Sequence, residues 1–410
     1  MRLLVYEHVS GGGFAGEAIS ASVLSEGFGM LRALISDFKA AGHNVTTTLD
    51  SRVARLNPPL DADCVVPVFS PREAEVSIRK LAEQADAAYV IAPETAGILQ
   101  SLVELVEQSG AASLSCSAGA IGKVSDKVGF YEFVRKLGLP LPAAMRFSVT
   151  DDLKEIEQAV RSNLGFPVIF KPSDGVSCGG VSAVSNEEQV AGAVNKVKHE
   201  SASKHFLVQE LIKGAAASVS LLSTGIEALP ISLNRQDVTI ETPEACSSYS
   251  GGAVPLDHPL QAEAFRVAKT IVKSVIGLRG YVGVDFVLTD EEAVAIEVNP
   301  RLTTSYIGLR RVIKFNLAQA IVDAVLKREL PAHIQNCGCA YFSKVETAKP
   351  TVGALQEIYR MKSVVSPPFP VAENGVASAL IASYGATLQE ATTRFREAKK
   401  RVLNTISRGK

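Results

Sequence analysis

Through residues 2–114, short apolar runs with strand character alternate with stretches whose apolar positions recur at helical spacing. The runs 3–9, 45–49, 65–69 and 88–92 read as strands, and 29–41 and 98–106 read as helices. Such alternation predicts a parallel sheet covered by helices. The breaker cluster Gly138-Leu139-Pro140-Leu141-Pro142 ends the helix containing residues 130–136, and a second unit is expected to begin there. Beyond it come an apolar strand at 166–171, a glycine-containing loop, a helix at 187–198 and a succession of strands over 206–233, which predict α+β structure with an antiparallel sheet. Residues 241–258 are rich in Ser, Gly and Pro and long for a plain connection, so a mobile lid or a substrate loop is expected there. A helix near 315–326, a short β region and an amphipathic helix over 388–406 complete the pattern.

One apolar run carries the densest chemistry. Residues 294–301 read Val-Ala-Ile-Glu-Val-Asn-Pro-Arg. In an extended strand, Glu297 and Asn299 share a face while Ile296 and Val298 pack behind them. Upstream, 281–288 is a second strand-like run, and its single carboxylate, Asp285, would be costly to bury alone. The polar turn Thr289-Asp290-Glu291-Glu292 predicts a hairpin that sets Asp285 beside Glu297. Hard oxygen donors on one face suit Mg²⁺ (or Mn²⁺) bridging to phosphates, with Arg301 placed to clamp the same phosphate.

Composition narrows the setting without changing it. At 410 residues, two or three domains are expected. Forty-two basic against 43 acidic residues provide no net field for nucleic acid or an anionic membrane. The opening Met1-Arg2-Leu3-Leu4-Val5-Tyr6 reads as a strand rather than a signal peptide, and a cytoplasmic enzyme acting on small molecules is expected. Six scattered cysteines read as reduced thiols.

A further set of residues completes a recognisable order. The strand Val168-Ile169-Phe170-Lys171-Pro172 ends in a lysine, followed by the small-residue loop Ser173-Asp174-Gly175-Val176-Ser177-Cys178-Gly179-Gly180, which can turn backbone N–H groups onto phosphates. With Ser125-Asp126-Lys127 before a helix, Val208-Gln209-Glu210-Leu211-Ile212, Asp285 and the segment 297–301, the chain resembles the ATP-grasp ligases over most of its length. The resemblance implies an ATP-grasp fold behind an N-terminal Rossmann-like, pre-ATP-grasp parallel sheet domain. It places that domain at 1–122, a small lid subdomain at 123–212, and a large subdomain with the metal site and a C-terminal β/α extension at 213–410. It implies ATP and Mg²⁺, with Lys127 and Lys171 on the phosphates and Ser177, Gly179 and Gly180 in the loop over them. Gln209, Glu210 and Leu211 would read the adenine, Asp285, Glu297 and Asn299 would hold the metal, and Lys171 and Arg301 would be catalytic. A homodimer is a family expectation. Where these ligases usually carry a ribose-binding carboxylate after the hinge, this chain reads Lys213-Gly214-Ala215-Ala216-Ala217-Ser218.

Within the superfamily, Val5-Tyr6-Glu7-His8-Val9-Ser10-Gly11-Gly12-Gly13, Leu233-Asn234-Arg235-Gln236 and Tyr249-Ser250-Gly251-Gly252 resemble the tyramine–glutamate ligase group of methanofuran-type cofactor synthesis. That likeness implies glutamate joined to tyramine or a similar amine through an acyl phosphate. Glu7 is then expected to meet a substrate ammonium, and the N–H groups of Ser10, Gly11, Gly12 and Gly13 a carboxylate. Asn234 and Arg235 are expected to face the same pocket. Two alternatives stay open: another ATP-grasp amino-acid or peptide ligase, and a nucleotide-binding regulator without turnover; Gly11, Gly13 and Gly16 after a strand also suggest a dinucleotide-binding protein, but Asp50 lies too far from them for that fingerprint and a tight substrate-binding turn fits better.

Overall fold

The computed structural model describes residues 1–175, 178–372 and 375–408. Its N-terminal sheet contains β1 (Arg2–Glu7), β2 (Asn44–Asp50), β3 (Cys64–Val68), β4 (Ala87–Ile91) and β5 (Ala112–Ser113), all parallel in the order β3-β2-β1-β4-β5. Successive residues of β1 enter different cores: Leu3 and Val5 pack on one side, Leu4 and Tyr6 on the other. Both faces are therefore covered, as a near-continuous apolar strand requires. Strand order reverses between β1 and β4, so the crevice beyond their C-terminal ends is a natural ligand position.

A four-stranded antiparallel sheet follows, built from β6 (Ala144–Ser148), β7 (Val168–Pro172), β8 (Ser182–Val184) and β9 (His205–Glu210) in the order β6-β9-β7-β8. Phe170 and Phe206 stack across it within their own core, against apolar residues of the helices Leu153–Asn163 and Val190–Glu200. Eight strands make the large sheet: β10 (Ala215–Thr224), β11 (Ala228–Thr239), β12 (Ser248–Val254), β13 (Arg279–Leu288), β14 (Ala293–Asn299), β15 (Cys339–Ala348), β16 (Val364–Ser366) and β17 (Val376–Gly385). Their order is β14-β13-β10-β11-β12-β15-β17-β16. Helix Gln261–Lys273 seals one face of β10, β11, β13 and β14. The amphipathic helix Leu388–Arg408 packs on β15 and β17.

Helix α1 (Ala21–Ala40) lies between the parallel sheet and β15–β17 and is buried nearly all round. It begins well before the expected position near 27–29, because the run Ser25-Glu26-Gly27-Phe28-Gly29 has weak intrinsic propensity and is held helical by packing. Gly27 and Gly29 allow the close approach: an added Cβ would come within 2.5 Å of Glu7 and 2.7 Å of Leu380, respectively. The segment 241–258 is not one open loop, since β12 lies within it and pairs with both β11 and β15.

Candidate active site

The predicted hairpin forms, with Asp285 directly opposite Glu297. On the other side of β13, Asp285 pairs with Ser218, and Ser218 pairs with Asn234. Residues opposed across a sheet project to the same face. Glu297, Asp285, Ser218 and Asn234 therefore form one polar row across four strands, backed by Val284, Val219 and Leu233 on the apolar face.

The hydrogen bonds within this row are specific. Asn299 Nδ2 donates to Asp285 Oδ2 at 3.0 Å, and Gln236 Nε2 donates to Asp285 Oδ1 at 3.0 Å. Lys171 Nζ lies 2.6 Å from Glu297 Oε2, and Lys127 Nζ lies 3.8 Å from the same oxygen. Burial, followed by the charge of Glu297, pushes the Asp285 carboxyl up to about 7. Burial would raise Glu297 too, but Lys171 and Lys127 outweigh it and hold that carboxyl well below the usual range. A raised carboxyl beside a buried, ionised one marks a position that gains from another cation. Asp285, Glu297 and Asn299 thus fit Mg²⁺ as two carboxylates and an amide. Among the described residues, no group of three or more His, Cys, Asp or Glu stands in metal-binding geometry.

Each lysine is placed by its local structure. Lys171 sits on β7 and is mostly buried. Asp126 caps the helix Lys127–Lys136 through the N–H groups of Val128 and Gly129. Lys127 ties that helix to the loop after β7: its N–H donates to Ser173 O at 3.0 Å and its Nζ to Gly175 O. Burial drives the Lys127 ammonium pKa down, against the pull of Glu297. In the loop, Gly179 is described, whereas Ser177 lies outside the described residues. Gly180, at φ +69°, donates its N–H to Glu200 Oε2 at 2.7 Å instead of presenting it to a phosphate. Burial pushes the Cys178 thiol up to about 11, which disfavours the thiolate. At the end of β9, Gln209 is buried, and Glu210 bonds Ala143 through both its N–H and its carboxylate while Leu211 follows the strand.

Several expectations are revised. Arg301 does not stand with an open fork: Nη2 donates to Glu94 Oε2 at 3.1 Å, and Nε lies 3.0 Å from Glu94 Oε1, out of line for a hydrogen bond. Glu7 turns inward, 2% exposed, and accepts from Val9 N–H, Ser10 N–H and Ser10 Oγ. The N–H groups of Ser10, Gly11 and Gly13 are all spent inside that loop, on Glu7 and His8, and Gly12 sits at positive φ with its carbonyl accepting from Ala15. The loop 7–15 is consequently a self-satisfied turn, not an open carboxylate cradle. Asn234 and Arg235 do not share a pocket, because neighbours on a strand alternate faces. Asn234 is buried and donates to Ser218 and Ser220, while Arg235 pairs with Asp237 on the opposite face.

Other residues were missed. Glu94 lies just past β4, Glu26 lies on α1 in a salt bridge with Lys344 of β15, and Gln236 holds Asp285. Only Gln236 had a signal in the sequence, through its period-two relation to Asn234.

Comparisons with known proteins identify the family. Residues 124–305 match the ATP-grasp domain, and 43–121 match the pre ATP-grasp 3 domain. The tyramine–L-glutamate ligase of Methanocaldococcus fervens is 28% identical over 81% of this chain and 97% of its own length. That of Methanocaldococcus jannaschii is 30% identical over 65% of this chain and 72% of its own length. Among solved structures, an ATP-grasp superfamily protein from Archaeoglobus fulgidus is 23% identical, covers 93% of this chain and 99% of its own, and superposes with a TM-score of 0.62. The biotin carboxylase domain of Hydrogenobacter thermophilus 2-oxoglutarate carboxylase, a dimer solved with MgADP and bicarbonate, is 14% identical over 97% and 89%, with a TM-score of 0.70.

Fold and site define an ATP-grasp protein. The chain belongs to the ATP-grasp carboxylate–amine ligase family. It is a ligase of the kind that forms C–N bonds. No helix among the described residues is long and apolar enough to cross a membrane.

Proposed function

We propose that this chain joins a side-chain carboxylate of L-glutamate to tyramine or a similar arylalkylamine, as in methanofuran-type cofactor synthesis. The observation that carries the phosphoryl chemistry is the Asp285–Glu297 pair held under Lys171 and Lys127. Two relatives named tyramine–L-glutamate ligase support the choice of acid and amine.

A carboxylate is a poor electrophile, so the reading begins with its oxygen attacking the γ-phosphorus of ATP. The bond to the β-phosphate oxygen breaks, leaving an acyl phosphate and ADP. The amine nitrogen then attacks the acyl carbon, and phosphate and a proton leave. Lys127 and Lys171, released from Glu297, neutralise the phosphate oxygens. Gln209, Glu210 and Leu211 hold the adenine at the end of β9. Asp285, Glu297 and Asn299 hold Mg²⁺ or Mn²⁺, which supplies charge stabilisation where the phosphoryl group is transferred. Arg301, kept in place by Glu94, contributes positive charge to the same region. The loop 173–181, with Gly179 and Gly180, excludes water from the acyl phosphate. The division at 122 and 212, and assembly as a homodimer, belong to the same reading. Sedimentation velocity checks the assembly.

Release of ADP and phosphate, measured while crossing amino acids with amines, tests the assignment. L-Glutamate with tyramine is expected to give both products and a γ-glutamyl amide by mass spectrometry. Activity with another pair, and none with this one, removes the substrate assignment and leaves the ligase class standing.

A further inference from the structure

Helix α1 and strand β15 lie far apart in the sequence, yet they bring Glu26 and Lys344 into a salt bridge. Side-chain exposure is 9% for Glu26 and 13% for Lys344, so both charges are largely removed from water. Thr304, three residues past Arg301, donates its hydroxyl to Glu26 Oε2 at 3.3 Å. Lys344 Nζ lies 5.6 Å from the centre of the Tyr249 ring. The charge of Glu26 acts on Arg301, and that of Lys344 reaches the phosphate loop at Cys178, where Glu297 and Asp285 also act. Through Thr304 the pair is joined to the segment that follows Arg301.

A buried ion pair is a weak device for stabilising a fold, since desolvating two charges costs roughly what their attraction returns. A ligand carrying both signs could exchange partners with such a pair and leave no charge stranded. An amine alone would leave Lys344 without a partner, and a plain carboxylate would leave Glu26 without one.

We propose that Glu26 and Lys344 together read the zwitterionic α-carbon of the amino-acid substrate. Glu26 takes the ammonium and Lys344 the α-carboxylate, Tyr249 walls the carbon chain, and the side-chain carboxylate is left to be phosphorylated. Both are specificity-determining residues, and the inference rests on the glutamate reading above. It explains how a diacid is phosphorylated at one carboxylate only.

The test compares kcat/KM for L-glutamate, glutarate and 4-aminobutyrate in ADP release with tyramine present. Glutarate lacks the ammonium and 4-aminobutyrate lacks the α-carboxylate. The unaltered protein is expected to favour L-glutamate by roughly a hundredfold or more, because a site built for a polar group rejects the analogue that lacks it. Glu26→Gln should narrow the gap to glutarate about tenfold or more while keeping the gap to 4-aminobutyrate, and Lys344→Met should do the reverse. The KM for ATP should stay within about threefold in both. A Glu26→Leu/Lys344→Met double variant should regain the melting temperature lost in the single variants while its KM for L-glutamate stays high, which separates reading from folding. Turnover of L-glutamate with unchanged discrimination in both single variants, or equal loss on all three substrates, overturns the role of the pair alone. Turnover of some acid that is not an α-amino acid, with none of L-glutamate, overturns the substrate reading, and this inference with it.

Discussion

Asp285 and Glu297 are the residues on which the proposed chemistry turns, and their environments push them in opposite directions. Replacing Glu297 by Gln keeps the shape but removes the charge that draws in Lys171 and Lys127. Loss of one preorganised electrostatic contact typically costs ~3 kcal/mol of barrier, so kcat for ADP release should fall about a hundredfold or more. Asp285→Asn should do likewise, with the melting temperature held or raised because a strained carboxyl is gone. Turnover within about threefold of the unaltered protein in both variants would remove the metal-site assignment. These residues were legible because strand alternation and one four-residue turn fix them relative to each other. Glu94, Glu26 and Lys344 were not, since each reaches the site from a different element and a lone charged residue carries no periodic signal. Asn234 and Arg235 show the converse: alternation, applied to Glu297 and Asn299, also predicts that adjacent residues part company.

His8 sets a second residue-scale expectation. Its ring packs on Phe14 and under Gly13, and burial lowers its pKa from 6.5 to about 4. The folded state then binds a proton less readily than the unfolded chain. The associated stability is complete above pH 6.5 and is lost as pH falls from 6.5 toward 4. At pH 5 the loss from this ring is about 2 kcal/mol. Thermal unfolding at pH 7.5 and pH 5.0 should show a smaller acid shift in His8→Gln than in the unaltered chain. Equal shifts in both would mean that His8 does not carry the effect.

Helix α1 shows how an element can defeat its own local propensity. Gly27 would ordinarily gain about 1 kcal/mol of helix stability on becoming Ala. Here the new Cβ would lie 2.5 Å from Glu7 Oε1, and Glu7 cannot swing away without giving up its bonds to Val9 and Ser10. Leaving such buried groups unsatisfied costs about 1–3 kcal/mol each, which exceeds the propensity gain. Gly27→Ala is therefore expected to lower the melting temperature by several degrees, whereas a rise would show that the Glu7 turn yields freely. The same close packing hid the start of α1 from the sequence. Its glycines weaken the helical signal, and the partners that compensate, such as Ser378 and the carbonyls of Val364 and Val365, lie more than 300 residues away.

At the scale of the whole molecule, the segment 241–247 ties the large sheet to the small one. Glu241 O accepts from Ala183 N–H at 2.8 Å, and Ser247 Oγ accepts from Glu241 N–H at 3.0 Å and donates to Val181 O at 2.8 Å. Lys196, mostly buried on helix Val190–Glu200, donates to Ala245 O. Pattern alone marked this stretch as too long for a connection, but not which sheet it would grip, because its bonds are made by backbone groups that every sequence possesses. The strap joins β11 to β12, which carry Gln236 against Asp285 and Tyr249 beside Lys344. The small sheet is thereby tied to the strands that carry Gln236 and Tyr249. Ser247→Ala deletes two of the strap's hydrogen bonds, worth about 1 kcal/mol each, without touching either sheet's core. Amide exchange at Ala183 is expected to quicken roughly tenfold while β10 and β13 keep their protection, because local opening and not global unfolding is what the bonds oppose. Equal acceleration across both sheets would mean that Ser247 supports the fold as a whole, and unchanged exchange at Ala183 would show that Lys196 and the Glu241–Ala183 bond hold the strap without it.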